Sequence, residues 1–115
     1  MLCGILVRRL REGKTLEDFR AAWYPEQGFG VPTRVLMARR VDNEREIFTI
    51  GFVDVPREQL DQGLQQVAAN EAIRHDRIAA VIESTVLTGY YEIVDDNDFS
   101  AEPQSLRPVG KGLLP

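Results

Sequence analysis

The 115-residue chain has one cysteine, one histidine and one tryptophan, and each scarcity excludes something. A lone cysteine, Cys3, closes no internal disulfide, and in its apolar run a thiol acts as a small hydrophobe. That usage fits a reducing, cytoplasmic compartment. A lone histidine, His75, with no cysteines to join it, does not make a zinc centre, because zinc wants three or four convergent ligands. No apolar stretch approaches the roughly 18 residues of a membrane span. The charged-then-apolar order of a signal peptide is missing too, since Arg8, Arg9 and Arg11 follow the first apolar run. Basic residues number 14 against 18 acidic, for a net charge of −4. That balance argues against nucleic acid or a membrane as a partner. No Gly-x-Ser-x-Gly elbow occurs, and Gly28-Phe29-Gly30 lacks the lysine and Ser/Thr ending of a phosphate loop. Asp95-Asp96-Asn97-Asp98 lacks the glycine and terminal glutamate of a calcium loop and reads as a solvated acidic turn.

What remains is the pattern of one α+β domain, residues 1–95, followed by an extended C-terminal arm, 96–115. Residues 2–10 are apolar on both parities and predict a strand covered on both faces. Gly13-Lys14 turns the chain. Thr15 offers a helix N-cap with Asp18 three residues on, and Leu16, Phe19, Ala22 and Trp23 form one apolar stripe. Pro25 stops the helix near Tyr24. Residues 32–41 and 46–54 predict two strands joined by a polar hairpin, Asp42–Arg45. Pro56 opens a second helix, with a break expected at Ala69-Asn70. Residues 83–94 predict the last strand. Phe99, Leu106, Leu113 and Leu114 are the arm's candidate anchors.

The order β-α-β-β-α-β predicts a ferredoxin-like, antiparallel four-stranded sheet with two helices on one face. Right-handed crossovers put strands 1 and 3 at the centre, read as parallel neighbours, with strands 2 and 4 at the edges. The face without helices is then apolar and uncovered, a large patch that monomers rarely show. A second copy packed sheet to sheet across a two-fold axis covers it, so a homodimer is expected.

Two stretches carry a resemblance. Gly13-Lys14-Thr15-x-Glu17-Asp18-Phe19-x-x-x-Trp23 is similar to the first-helix motif of EthD-like proteins. Glu71-Ala72-Ile73-Arg74-His75-Asp76-Arg77-Ile78 is similar in position to the histidine-containing second-helix segment of antibiotic-biosynthesis-type monooxygenases. Both groups belong to the dimeric α/β-barrel superfamily, and the element order of residues 1–95 resembles theirs. The resemblance implies a homodimeric barrel acting on a small aromatic or polyketide-like molecule by oxygenation or isomerisation, with no bound metal or flavin. The sequence departs from the pattern after Trp23. EthD-like proteins carry a histidine there, where this chain has Tyr24-Pro25-Glu26-Gln27. Strand 1 also has no asparagine of the kind used by haem-degrading members.

Within that reading the catalytic candidates are His75 and Arg34. His75 is the one imidazole of the chain, a side-chain type fit for a base or an orienting group. Arg34 is opposite in parity to Val35 and Met37, so if those face the helices it faces an inter-sheet cavity, where a guanidinium holds a carboxylate or enolate. Trp23, Tyr24 and Phe29 are candidate substrate-binding walls. Tyr90 and Tyr91, adjacent on the last strand, are also substrate-binding candidates: one faces the helices and the other the inter-sheet cavity, where its phenol can donate a hydrogen bond, and parity leaves open which. The alternative to an enzyme is a non-catalytic dimeric module that binds a ligand or plays a structural role. Sedimentation is expected to show a dimer at micromolar concentration; a monomer there overturns the sheet-to-sheet argument.

Overall fold

A computed structural model describes residues 1–114. Along the chain come β1 (Leu2–Leu10), α1 (Leu16–Trp23), β2 (Thr33–Arg40), β3 (Asn43–Val53), α2 (Leu60–Ala79) and β4 (Ile82–Glu92). Two short strands follow, β5 (Asn97–Asp98) and β6 (Gln104–Ser105). The main sheet has four strands in the order β2-β3-β1-β4, every pair antiparallel. This is the ferredoxin-like α+β topology, with both helices on one face. Among the described residues no helix is long and apolar enough to cross a membrane.

One expectation is corrected. β1 and β3 are neighbours, but they run antiparallel, with Leu2 opposite Val53 and Arg9 opposite Glu46. The crossover through α1 makes β2 parallel to β1. The hairpin after β2 then reverses the chain, and β3 fills the slot between them.

Local chemistry explains the elements. At the start of α1 the Thr15 hydroxyl accepts from the Asp18 N–H at 3.2 Å, and the Asp18 carboxylate accepts from the Thr15 N–H at 2.9 Å. This reciprocal cap satisfies two helix-end donors and holds the Asp18 carboxyl below its usual range. The β2–β3 turn is shorter than predicted: Arg40 already pairs with Asn43, leaving Val41 and Asp42 at the tip. The Asn43 side chain accepts from the Arg45 N–H, taking up the irregularity where the register shifts. Helix α2 follows a 3-10 turn at Arg57–Gln59 and runs unbroken through Ala69-Asn70. The Asn70 amide reaches across to Gln27 rather than back to its own helix, so it does not compete with the helical bonds.

The two faces of the sheet follow from the registers. Gly4, Leu6, Arg8 and Leu10 face the helices together with Ile47, Thr49, Gly51, Val35 and Met37. Cys3, Ile5 and Val7 face away with Phe48, Ile50, Phe52, Leu36 and Leu87. Two irregularities in the β1–β4 ladder, after Val7 and after Arg9, bring Ile82 back to the helix side opposite Leu10. Arm residues 96–114 fold back rather than extend. β5 pairs with β6, and the Gly110 N–H donates to Asp96 at 3.0 Å. Gly110 has φ +80° and lies so close to Met1 that a Cβ there would sit 3.0 Å from the methionine sulfur. Of the candidate anchors, Leu106, Leu113 and Leu114 are half-buried and Phe99 is exposed. Pro115, the last residue of the expected arm, lies outside the described residues.

Packing of helices on sheet is concentrated at one end. Leu10, Ile47, Ile78 and Val81 surround Phe19, which has no exposed surface, and Leu16, Ala22, Trp23, Met37 and Ile82 pack around them. Phe19→Ala is expected to cost about 3–5 kcal/mol of unfolding free energy, measured by urea denaturation. A loss below about 1 kcal/mol would show that this end is not the centre of the core.

Candidate functional site

Because the helices meet the sheet closely at the Leu10 end, the opposite end is left hollow. A cavity of about 250 Å³ opens there between the sheet and α2. Its floor is low because Gly4 and Gly51 sit opposite each other on β1 and β3. Leu60, Gly63, Leu64 and Val67 of α2 form one wall, and Trp23, Pro25 and Phe29 form a roof. The lining is mostly apolar, and its few polar groups include Arg8, Glu71, Arg74 and Tyr90.

Helix α2 holds the roof in place. The Arg74 Nε donates to the Trp23 carbonyl at 2.8 Å, and its guanidinium lies 5.6 Å from the Trp23 ring centre and 5.9 Å from that of Phe29. A turn further along, Arg77 donates to the Tyr24 carbonyl and pairs with Glu26. That contact holds the Glu26 carboxyl below its ordinary range. Arg74 is itself 6% exposed, and its Nη1 pairs with Glu71.

Arg8 is different. It is 4% exposed, yet among the described residues its guanidinium has no hydrogen-bond or ion-pair partner, and Nη1 is both buried and unpartnered. Burial and the nearby Arg74 cation push its pKa down to about 10, against the pull of Glu71, so it remains charged at neutral pH. Beside that pull, the Phe19 ring lies 5.5 Å from the guanidinium carbon. A desolvated cation–π contact gives about 2 kcal/mol, less than the several kcal/mol that burying an ion costs. The cavity wall therefore contains a buried cation with no hydrogen-bond or ion-pair partner among the described residues.

Tyr90 lies across Gly4, where a Cβ would come 3.0 Å from its Cε1. The missing side chain lets the ring lie flat on the sheet. Burial, and then the Glu71 charge, raise the phenol pKa, which keeps the hydroxyl protonated and able to donate.

The structure brings Trp23, Phe29 and Tyr90 together around the cavity. The remaining sequence candidates lie elsewhere. Tyr24 is exposed, with Arg20 over its ring. His75 is on the exposed side of α2, next to Arg74. Arg34 pairs with Phe52 and Tyr91 with Cys3, both on the face without helices. Val35 and Met37 do face the helices, as the parity argument supposed, but the cavity is on their side of the sheet. The arginines that line it are Arg8 and Arg74. In the sequence Arg8 is grouped with Arg9 and Arg11 after the first apolar run. The signal that could have found it was parity, because Arg8 sits between Leu6 and Leu10 on the alternation that the core uses. Glu71 and Arg74 were read only as neighbours of His75.

Fold and cavity together define a ferredoxin-like α+β protein with a partly open cavity of about 250 Å³ between sheet and helix. No family model, no curated protein and no solved structure matches the chain. Among the described residues no group of three or more His, Cys, Asp and Glu side chains could hold a metal ion. Arg8→Met is expected to raise the unfolding free energy of the free protein by about 1–2 kcal/mol, because an uncompensated buried charge is removed at the cost of one cation–π contact. A stability loss of similar size, read by thermal or urea unfolding, would mean that Arg8 is neutralised within the chain.

Proposed function

We propose that this protein binds a small aromatic molecule in the cavity between its sheet and α2. One observation carries the reading: an apolar, roofed space of about 250 Å³ with a few convergent polar groups, the usual character of a ligand site. For scale, a dry cavity of about 150 Å³ accepts benzene, so a single substituted ring is the natural occupant. Trp23, Phe29 and Tyr90 offer flat faces to such a ring.

A catalytic role is the second reading, as a cofactor-independent isomerase or monooxygenase of the kind that the resemblance to EthD-like proteins implies. The presence of Glu71 and Tyr90 in the cavity supports it. A carboxylate can take a proton from an acidic carbon, and a phenol and a guanidinium can stabilise the resulting enolate. Against catalysis, the Glu71 carboxylate is already engaged by Arg74. A non-catalytic binding module therefore has equal claim on the same site.

The protein works as a homodimer in this reading. On the face without helices, Leu36 and Leu87 on the outer strands and Val7, Phe48 and Ile50 between them make an apolar band across the middle of the sheet. Leu36, Leu87 and Tyr91 are nearly half exposed. A second copy is the partner whose surface matches by symmetry.

Trp23, the only tryptophan, gives a built-in reporter. A screen of small phenols and quinones by its fluorescence is expected to find saturable binding that His75→Ala leaves unchanged. Gly63→Leu is expected to weaken binding tenfold or more without loss of stability, since a Cβ at Gly63 meets nothing within 4 Å and leucine is the better helix former. Equal binding by wild type and Gly63→Leu would remove the cavity from the proposal.

A further inference from the structure

The charges around the cavity say what kind of molecule it takes. Arg74 is already paired with Glu71 and bonded to the Trp23 carbonyl. Arg8 has neither kind of partner among the described residues, although it is almost fully buried and lines the same space. Buried charges are ordinarily paired. An unpaired one in the wall of a ligand-sized cavity is matched when an anion enters.

Three features narrow that anion. Two arginines opposed by one glutamate leave a single net positive charge, which suits a monoanion better than a phosphate group. A guanidinium presents a planar fork of donors, which fits the planar carboxylate group. Most of the rest of the lining, from Leu6 and Val35 below to Phe29 above, is apolar, with Thr33, Thr49, Thr88 and Gln66 among it, so the anion sits on a largely apolar body. We infer that the ligand is an aromatic monocarboxylate whose carboxylate is received by Arg8. This rests on the reading of the cavity as a ligand site and adds the charge and the group that recognises it. Arg8 then acts through binding alone: it takes no part in any bond made or broken.

The test compares two probes of one shape, benzoate and benzamide, by calorimetry and by quenching of Trp23. Wild type is expected to bind benzoate at least about tenfold tighter than benzamide, the range of a hydrogen bond to a charged group. Arg8→Met is expected to bring the two probes within about twofold of each other, with benzoate losing the larger share of its affinity. Arg8→Lys keeps a charge without the fork, and the preference should fall to an intermediate value; this variant decides the matter if Arg8→Met does not fold. Glu71→Gln, which leaves both arginines unopposed, should tighten benzoate and not benzamide. Benzamide binding as tightly as benzoate in wild type overturns the inference and leaves the cavity a neutral-ligand site. A benzoate preference that survives both Arg8 variants also overturns it, assigning recognition to another group. If neither probe binds and the phenols and quinones fail as well, the cavity reading falls and this inference with it.

Discussion

Everything in this molecule follows from where the helices touch the sheet. Phe19 is the point of closest contact, enclosed by Leu10, Ile47, Ile78 and Val81. Packing that tight at one end has a geometric consequence at the other. The N-terminal half of α2 passes over glycines rather than large side chains, so sheet and helix do not close on each other. The cavity is thus not an addition to the fold. It is the space left by an uneven core, with Gly4 and Gly51 in its floor and Gly63 in its wall.

Arg8 stands at the border between these two halves. On one side its guanidinium lies against Phe19, the most enclosed side chain of the core. On the other it lines the hollow. A methionine or leucine would fill the same position without charge. Retaining an arginine there makes sense where binding an anion repays what stability loses. Arg74 is the complementary case. It is also buried, but every face of it is engaged: the Trp23 carbonyl, the Glu71 carboxylate and two aromatic rings. One arginine builds the roof; the other is left over for a guest.

The helix-free face poses a separate requirement. Its apolar residues come from the same strands that line the cavity on their other side, through the alternation of side chains along each strand. A sheet whose two faces are both apolar needs cover on both. The helices supply one cover, and the arm beyond Glu92 turns back to Met1 at the edge of the domain.

Much of the fold was legible in the residues. The spacing of Leu16, Phe19 and Trp23, the Thr15–Asp18 cap, the two-sided apolar runs of β1 and β3, and the edge position of β2 all come from local chemistry. Periodicity and capping act within a few residues, so a sequence reports them directly. Direction and exact register were less legible, because they depend on how the hairpin returns. The reading of β1 and β3 as parallel failed for that reason. So did the four-residue turn, since the Asn43 side chain supports a tighter one.

The sequence by itself determined the element order, the ferredoxin-like class and the apolar stripe of α1 that carries Phe19. Only the tertiary structure decided that the helix side of the sheet holds a cavity, and which polar residues line it. Parity correctly separated Arg34 from Val35 and Tyr90 from Tyr91 but could not say which side was hollow. That depends on how closely α2 approaches the sheet at each end, a sum over glycines and large side chains far apart in the chain. The same distance hid the Arg8–Glu71–Arg74 group: its members come from β1 and α2 and meet only after both crossovers are made.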